Sequence, residues 1–140
     1  IYRDGLDDGF IVFAIDELYG IHIQTDYCKK MSVLYELKSQ KHPIIPNKYD
    51  DIVLNLLDFS KNNNLITEVD YTNGADEDEE ENQGFISEFN DSYLVLKTID
   101  NYAHIDGTTV LDISSIKVLY CNGVKCRDLK LLYDTGFEIN

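Results

Sequence analysis

Gly9-Phe10-Ile11 and Gly84-Phe85-Ile86 open two stretches of this chain that follow the same pattern. Each carries an Asp seven residues after its Gly (Asp16, Asp91), then a run of β-formers, then a Tyr (Tyr27, Tyr102). Small repeated β-units commonly build barrel-like binding modules. The echo therefore points to a mainly β (α+β) fold for most of the 140 residues.

Local patterning fills in the elements. Residues 9–15 read as a buried strand, residues 18–24 as its hairpin partner and residues 32–37 as a third strand. Pro43 and Pro46 break the pattern and turn the chain. We expect an N-terminal three-stranded β-unit over residues 1–46 and a second unit over residues 47–140, packed as one structure. The second unit opens with a helix. Asn47 is its expected cap, with Asp50 three residues on, and Tyr49, Ile52, Val53, Leu56 and Leu57 form its apolar stripe. Lys61 suits its last turn, and Asn62-Asn63-Asn64 ends it. Strands are expected at 65–71, 84–89, 93–99, 108–113 and 116–120. A tight turn is expected at Asn90-Asp91-Ser92, a single helical turn at 112–115, and a closing helix at 126–133 before Gly136.

Charge is the second constraint. The chain carries 26 acidic against 12 basic side chains, a net −14. Such a surface repels a polyanion, because nucleic-acid binding relies on Lys and Arg to neutralise phosphates. It equally avoids an anionic membrane. Its electrostatic complement is a basic protein. Six acids run consecutively from Asp76 to Glu81. Six adjacent like charges do not bury together, so residues 72–83 read as a solvated loop. The same run is able to bind divalent ions weakly, or to imitate a phosphate backbone. No apolar run reaches the roughly 18 residues that span a bilayer. Ile1-Tyr2-Arg3-Asp4 does not read as a signal peptide. Three cysteines, an odd count, suit a reducing cytoplasm.

Catalytic chemistry has little to rest on. His22, His42 and His104 are scattered, no Ser stands in a nucleophile elbow, and the weakest alternative is a hydrolytic pairing of His104 with Asp106. Cys121 and Cys126 fall short of the four ligands of a structural zinc site. Asp4-Gly5-Leu6-Asp7-Asp8 begins like a calcium loop, but Ile15 stands where the bidentate Glu belongs. No enzyme activity, cofactor or metal is expected. Ten tyrosines offer rigid, amphipathic contact area, with Tyr19, Tyr27 and Tyr71 as surface candidates.

A helix, five strands and a short turn before the last strand, as read over residues 48–120, resembles the order of Sm-like and SH3-like small barrels. The stretch from Gly84 through Asp100, with Tyr102, Asp106-Gly107 and the Ile113–Ile116 spacing, is similar to a group of uncharacterised acidic bacterial proteins with that barrel pattern. RNA-binding Sm proteins carry an Arg-Gly pair before the fifth strand. Here the junction reads Ile113-Ser114-Ser115-Ile116, so direct nucleic-acid contact is not implied. A looser similarity, of size, acidity and lack of catalytic residues, is to immunity proteins that protect bacteria from basic nuclease toxins. It implies a noncatalytic inhibitor binding a basic partner through Asp76, Glu77, Asp78, Glu79, Glu80 and Glu81, with Asp91, Asp100 and Asp106 in neighbouring loops. The alternative is an Sm-like regulatory or scaffold module that binds RNA or an RNA-associated protein.

Overall fold

A computed structural model describes residues 4–72 and 79–138. Six strands make one antiparallel sheet: β1 (Phe10–Phe13), β2 (Ile66–Thr72), β3 (Glu79–Phe89), β4 (Tyr93–Ile99), β5 (Ile105–Asp112) and β6 (Ile116–Cys121). Their order is β1-β6-β2-β3-β4-β5. Among the described residues three helices accompany them: α1 (Asp26–Leu37), α2 (Ile52–Asn62) and α3 (Val124–Thr135).

Short side chains set the turns. Asn90 Oδ1 accepts from the backbone N–H of Ser92 (2.8 Å) and Tyr93 (2.9 Å), which closes the β3–β4 hairpin. Asp112 Oδ1 accepts from Ser114 N at 2.8 Å and caps a 3-10 turn, Ile113–Ser115, that leads into β6. α3 ends on Gly136 in the left-handed conformation, φ 63°. Gly123 has no side chain with which to start it, so Asp8 Oδ1 reaches across to accept from Val124 N at 2.9 Å.

Strand alternation divides the core between two faces. Leu56 and Leu57 of α2 are fully buried against Val69, Ile86, Leu94, Leu96, Leu111 and Leu119. Each such leucine contributes roughly 1.5–3 kcal/mol. On the opposite face Cys126 and Leu129 of α3 cover Ile66, Phe85, Ile99 and Ala103. A buried polar contact pins α2 to β2: Ser60 Oγ and Thr67 Oγ1 are 2.6 Å apart, with Ser60 also donating to Leu65 O.

The strands and closing helix expected beyond residue 65 are present. Four features differ. First, the N-terminal three-stranded β-unit is not formed. Among the described residues of that stretch only Phe10–Phe13 is a strand, and it joins the main sheet beside β6. Residues 26–37, read partly as strand, are helical. Thr25 Oγ1 caps that helix by accepting from Cys28 N, and Met31, Leu34 and Tyr35 at helical spacing turn inward. Residues 18–24 alternate like a strand but have no strand beside them. Tyr19 there is 98 % exposed, with Ile21 and Ile23 also exposed. Second, the sheet stays open, with β1 and β5 at its two edges. Third, Asp51 rather than Asn47 caps α2, its carboxylate accepting from Val53 N at 2.7 Å. Asn47 instead accepts from Asn55 Nδ2. Fourth, the acidic run is not loop throughout, since Glu79, Glu80 and Glu81 extend β3 opposite Thr72, Tyr71 and Asp70. Pairing with β2 sends successive side chains to opposite faces and so separates the adjacent charges.

The echoed glycines both stand where backbones meet closely. A Cβ on Gly9 would lie 2.1 Å from Cys121 O, and one on Gly84 2.1 Å from Lys97 O. Gly84→Ala must push β4 away and is expected to cost about 1–3 kcal/mol. A clear drop in the urea midpoint at constant slope is the expected reading; an unchanged midpoint refutes the close approach.

Candidate functional site

The nine acids singled out from sequence fall in different places. Asp76, Glu77 and Asp78 lie outside the described residues. Glu79, Glu80 and Glu81 are in β3. Asp91 sits in the β3–β4 turn, at the far end of that hairpin from Glu81, and accepts from Ser92 Oγ at 3.2 Å. Asp100 follows β4, and Asp106 lies at the start of β5.

Glu81, Asp100 and Asp106 come together. With Asn82, Gln83, Ile99 and Asn101 they line a polar cleft of about 310 Å3. β3 supplies one wall and the β4–β5 turn the other. Asn101 also belongs to an adjoining cleft of about 370 Å3, formed with Val124, Lys125, Asp128, Leu129 and Leu132 of α3. The two make a continuous trough along the edge of α3, acidic at one end and apolar at the other.

Local structure fixes the acidic end. Asp100 Oδ1 accepts from Tyr102 N (2.9 Å) and His104 N (2.8 Å), so its carboxylate organises its own turn. The bond from His104 N is the largest influence holding the Asp100 carboxyl below the ordinary carboxylate value. His104 Nδ1 lies 3.5 Å from Asp100 Oδ2, so the structure pairs His104 with Asp100. Glu80 points to the opposite face, where Tyr71 Oη donates to it at 2.7 Å.

Sequence reading passed over half of this site. Glu68 and Asp70 stand beside Glu81 on the α3 face, and Lys125 Nζ donates to Glu68 (2.6 Å) and Glu81 (2.8 Å). Partial burial works against the Lys125 ammonium, but its bonds to Glu68 and Glu81 outweigh that and raise its pKa. The available signal was the pairing of Glu68-Val69-Asp70 with Glu81-Asn82-Gln83, two alternating polar patterns that meet only when the strands are in register. Tyr19 and Tyr27 are exposed as expected, whereas Tyr71 is buried. Cys121 and Cys126 are buried free thiols. Burial raises both, Cys126 to about 11.

The site offers dense carboxylate oxygen, three side-chain amides and one lysine at the mouth of an apolar groove. That chemistry suits recognition of a cationic group. No family model, no curated protein and no solved structure matches this chain.

Asp100 gives a pH test. Its pKa is lowered on folding from an ordinary 3.8, so its stabilising contribution is complete above that value and is lost as pH falls through the folded one. Asp100→Ala is expected to be less stable than the parent at neutral pH, with the difference closing in acid. Denaturant midpoints across the pH series check this; a difference that persists unchanged in acid refutes it.

Proposed function

We infer that this chain is a noncatalytic acidic protein-binding module, an immunity-type inhibitor that neutralises a basic nuclease toxin by covering its cleft. The observation that carries the reading is the convergence of Glu81, Asp100 and Asp106 on one cleft, in a chain of net −14. Glu68, Asp70 and Asp128 deepen the negative field around it. A cleft lined with one sign of charge focuses that field and speeds encounter with a cationic partner. The adjoining apolar trough gives such a partner a surface to bury once steered in. The exposed arm around Tyr19 and Tyr27 adds rigid contact area of the kind interfaces use. The reading places the protein in the bacterial cytoplasm.

One observation favours the second reading, an Sm-like scaffold binding RNA or an RNA-associated protein. α2 precedes five consecutive strands, the 3-10 turn falls between the last two, and β6 returns to pair with β2. This supports the barrel-like resemblance in connectivity, with β1 as an added edge strand. The surface charge argues against direct RNA contact.

The test is affinity capture from lysate of the source organism, washed at low and at high salt. A stoichiometric basic protein whose nuclease activity the chain silences supports the inhibitor. Ribosomal or RNA-processing proteins move the weight to the scaffold. With the captured toxin in hand, neutralising Asp76–Glu81 together with Asp100 and Asp106 is expected to slow association by about 10–100-fold and to flatten its salt dependence. Unchanged rates at low salt exclude this surface as the contact.

A further inference from the structure

Four oxygen-bearing side chains form a square on the α3 face of the sheet. Glu68 and Asp70 alternate on β2, and Glu81 and Gln83 alternate on β3. Glu68 stands opposite Gln83, and Asp70 stands opposite Glu81. One carboxylate oxygen from each of Glu68, Asp70 and Glu81 lies within 4.8 Å of the others. Like charges directly opposite each other destabilise a ladder, and three at this spacing call for a cation. Lys125 supplies one ammonium, 2.6 Å from Glu68 and 2.8 Å from Glu81.

Gln83 is an independent sign of a ligand. It is only 8 % exposed. Its amide nitrogen donates to Asn101 Oδ1 at 3.0 Å, yet its buried carbonyl oxygen has no hydrogen-bond partner. Buried acceptors are rarely left unmatched. This one belongs to a side chain that shares the carboxylates' face and lines the cleft beside Glu81.

The geometry points to a binding site for a hard divalent cation, calcium above others, built from the carboxylates of Glu68, Asp70 and Glu81 and the carbonyl oxygen of Gln83. The donor set decides the metal. All four donors are oxygen, where zinc favours nitrogen and sulfur and magnesium demands a near-ideal octahedron. Calcium accepts irregular oxygen shells completed by water. Two paired strands hold the donors in fixed register. Lys125, on the first turn of α3, competes for the same oxygens. That competition places the affinity at the weak end of calcium sites, a Kd on the order of 10⁻⁴–10⁻³ M. The site stands without the partner reading, because it is complete in the chain alone.

The test uses the whole chain, freed of metal by chelation and titrated with calcium chloride by calorimetry. Terbium luminescence excited through Tyr120, which stands opposite Glu68 on β6, gives a second readout. One saturable site is expected, with a Tm that climbs as calcium is added. Glu68→Gln and Asp70→Asn should each weaken binding by about tenfold or more. Asp76→Asn with Glu77→Gln and Asp78→Asn should leave it unchanged, which separates the site from diffuse attraction to the acidic run. Lys125→Met should tighten it severalfold, a gain that unfolding does not mimic. No saturation at millimolar calcium overturns the proposal. So does binding that survives both carboxylate variants, binding lost in the triple variant, or no gain on removing Lys125.

Discussion

Pairing of β2 with β6 is the contact on which the rest of the structure depends. β3 pairs with β2, and β4 and β5 follow β3 through short turns that local chemistry is enough to fold. β6 comes back from the far side of that meander to lie along the other edge of β2, with Thr67 opposite Cys121 and Val69 opposite Leu119. This one ladder buries Leu119 and Cys121 beneath α2 and sets β6 in place to pair with β1. It also fixes where α3 begins, since only two residues separate β6 from that helix. Without it, neither the apolar trough nor Lys125 would lie beside the acidic strands.

The same ladders gather charge against its own repulsion. A consecutive acidic run in open loop lets each carboxylate keep its water. Once Glu80 and Glu81 enter β3, alternation sends one to Tyr71 and the other to Asp70, Glu68 and Lys125. The fold thereby converts a diffuse property of composition into a local one with defined distances. Concentrating like charge is unfavourable for folding and favourable for binding a cation, a common trade at recognition sites.

Local signals in the sequence were readable where one residue type performs one task. Asn90 and Asp112 fold their turns by side-chain bonds to nearby backbone, and Gly136 ends α3 because its φ is positive. The strand-like run at 18–24 misleads because alternation specifies an amphipathic edge without specifying a neighbour to receive it. α1 was obscured because Val33, Leu34 and Tyr35 lie together and read as strand, while the helical spacing of Met31, Leu34 and Tyr35 is short. The echo between Gly9 and Gly84 reports a shared demand for backbone closeness and not a shared fold: one copy leads to a single edge strand, the other to a hairpin. The cleft was half legible. Asp100 and Asp106 mark it by residue type, whereas Glu68, Asp70 and Gln83 join it only through strand register, which no local pattern encodes.

The edge position of β1 has a consequence for how the chain is made. Among the strands described, Phe10–Phe13 is made before the other five, and its partner, β6, after them. Domains fold largely as units, and nonlocal pairing is slow. A nascent chain therefore carries Phe10, Ile11, Val12 and Phe13 unpaired until β2 through β6 have been made. For that interval this wholly apolar strand is open to chaperones and to aggregation. Pairing with β6 ends that interval for the strand's backbone and for Phe10 and Val12, which pack against the core.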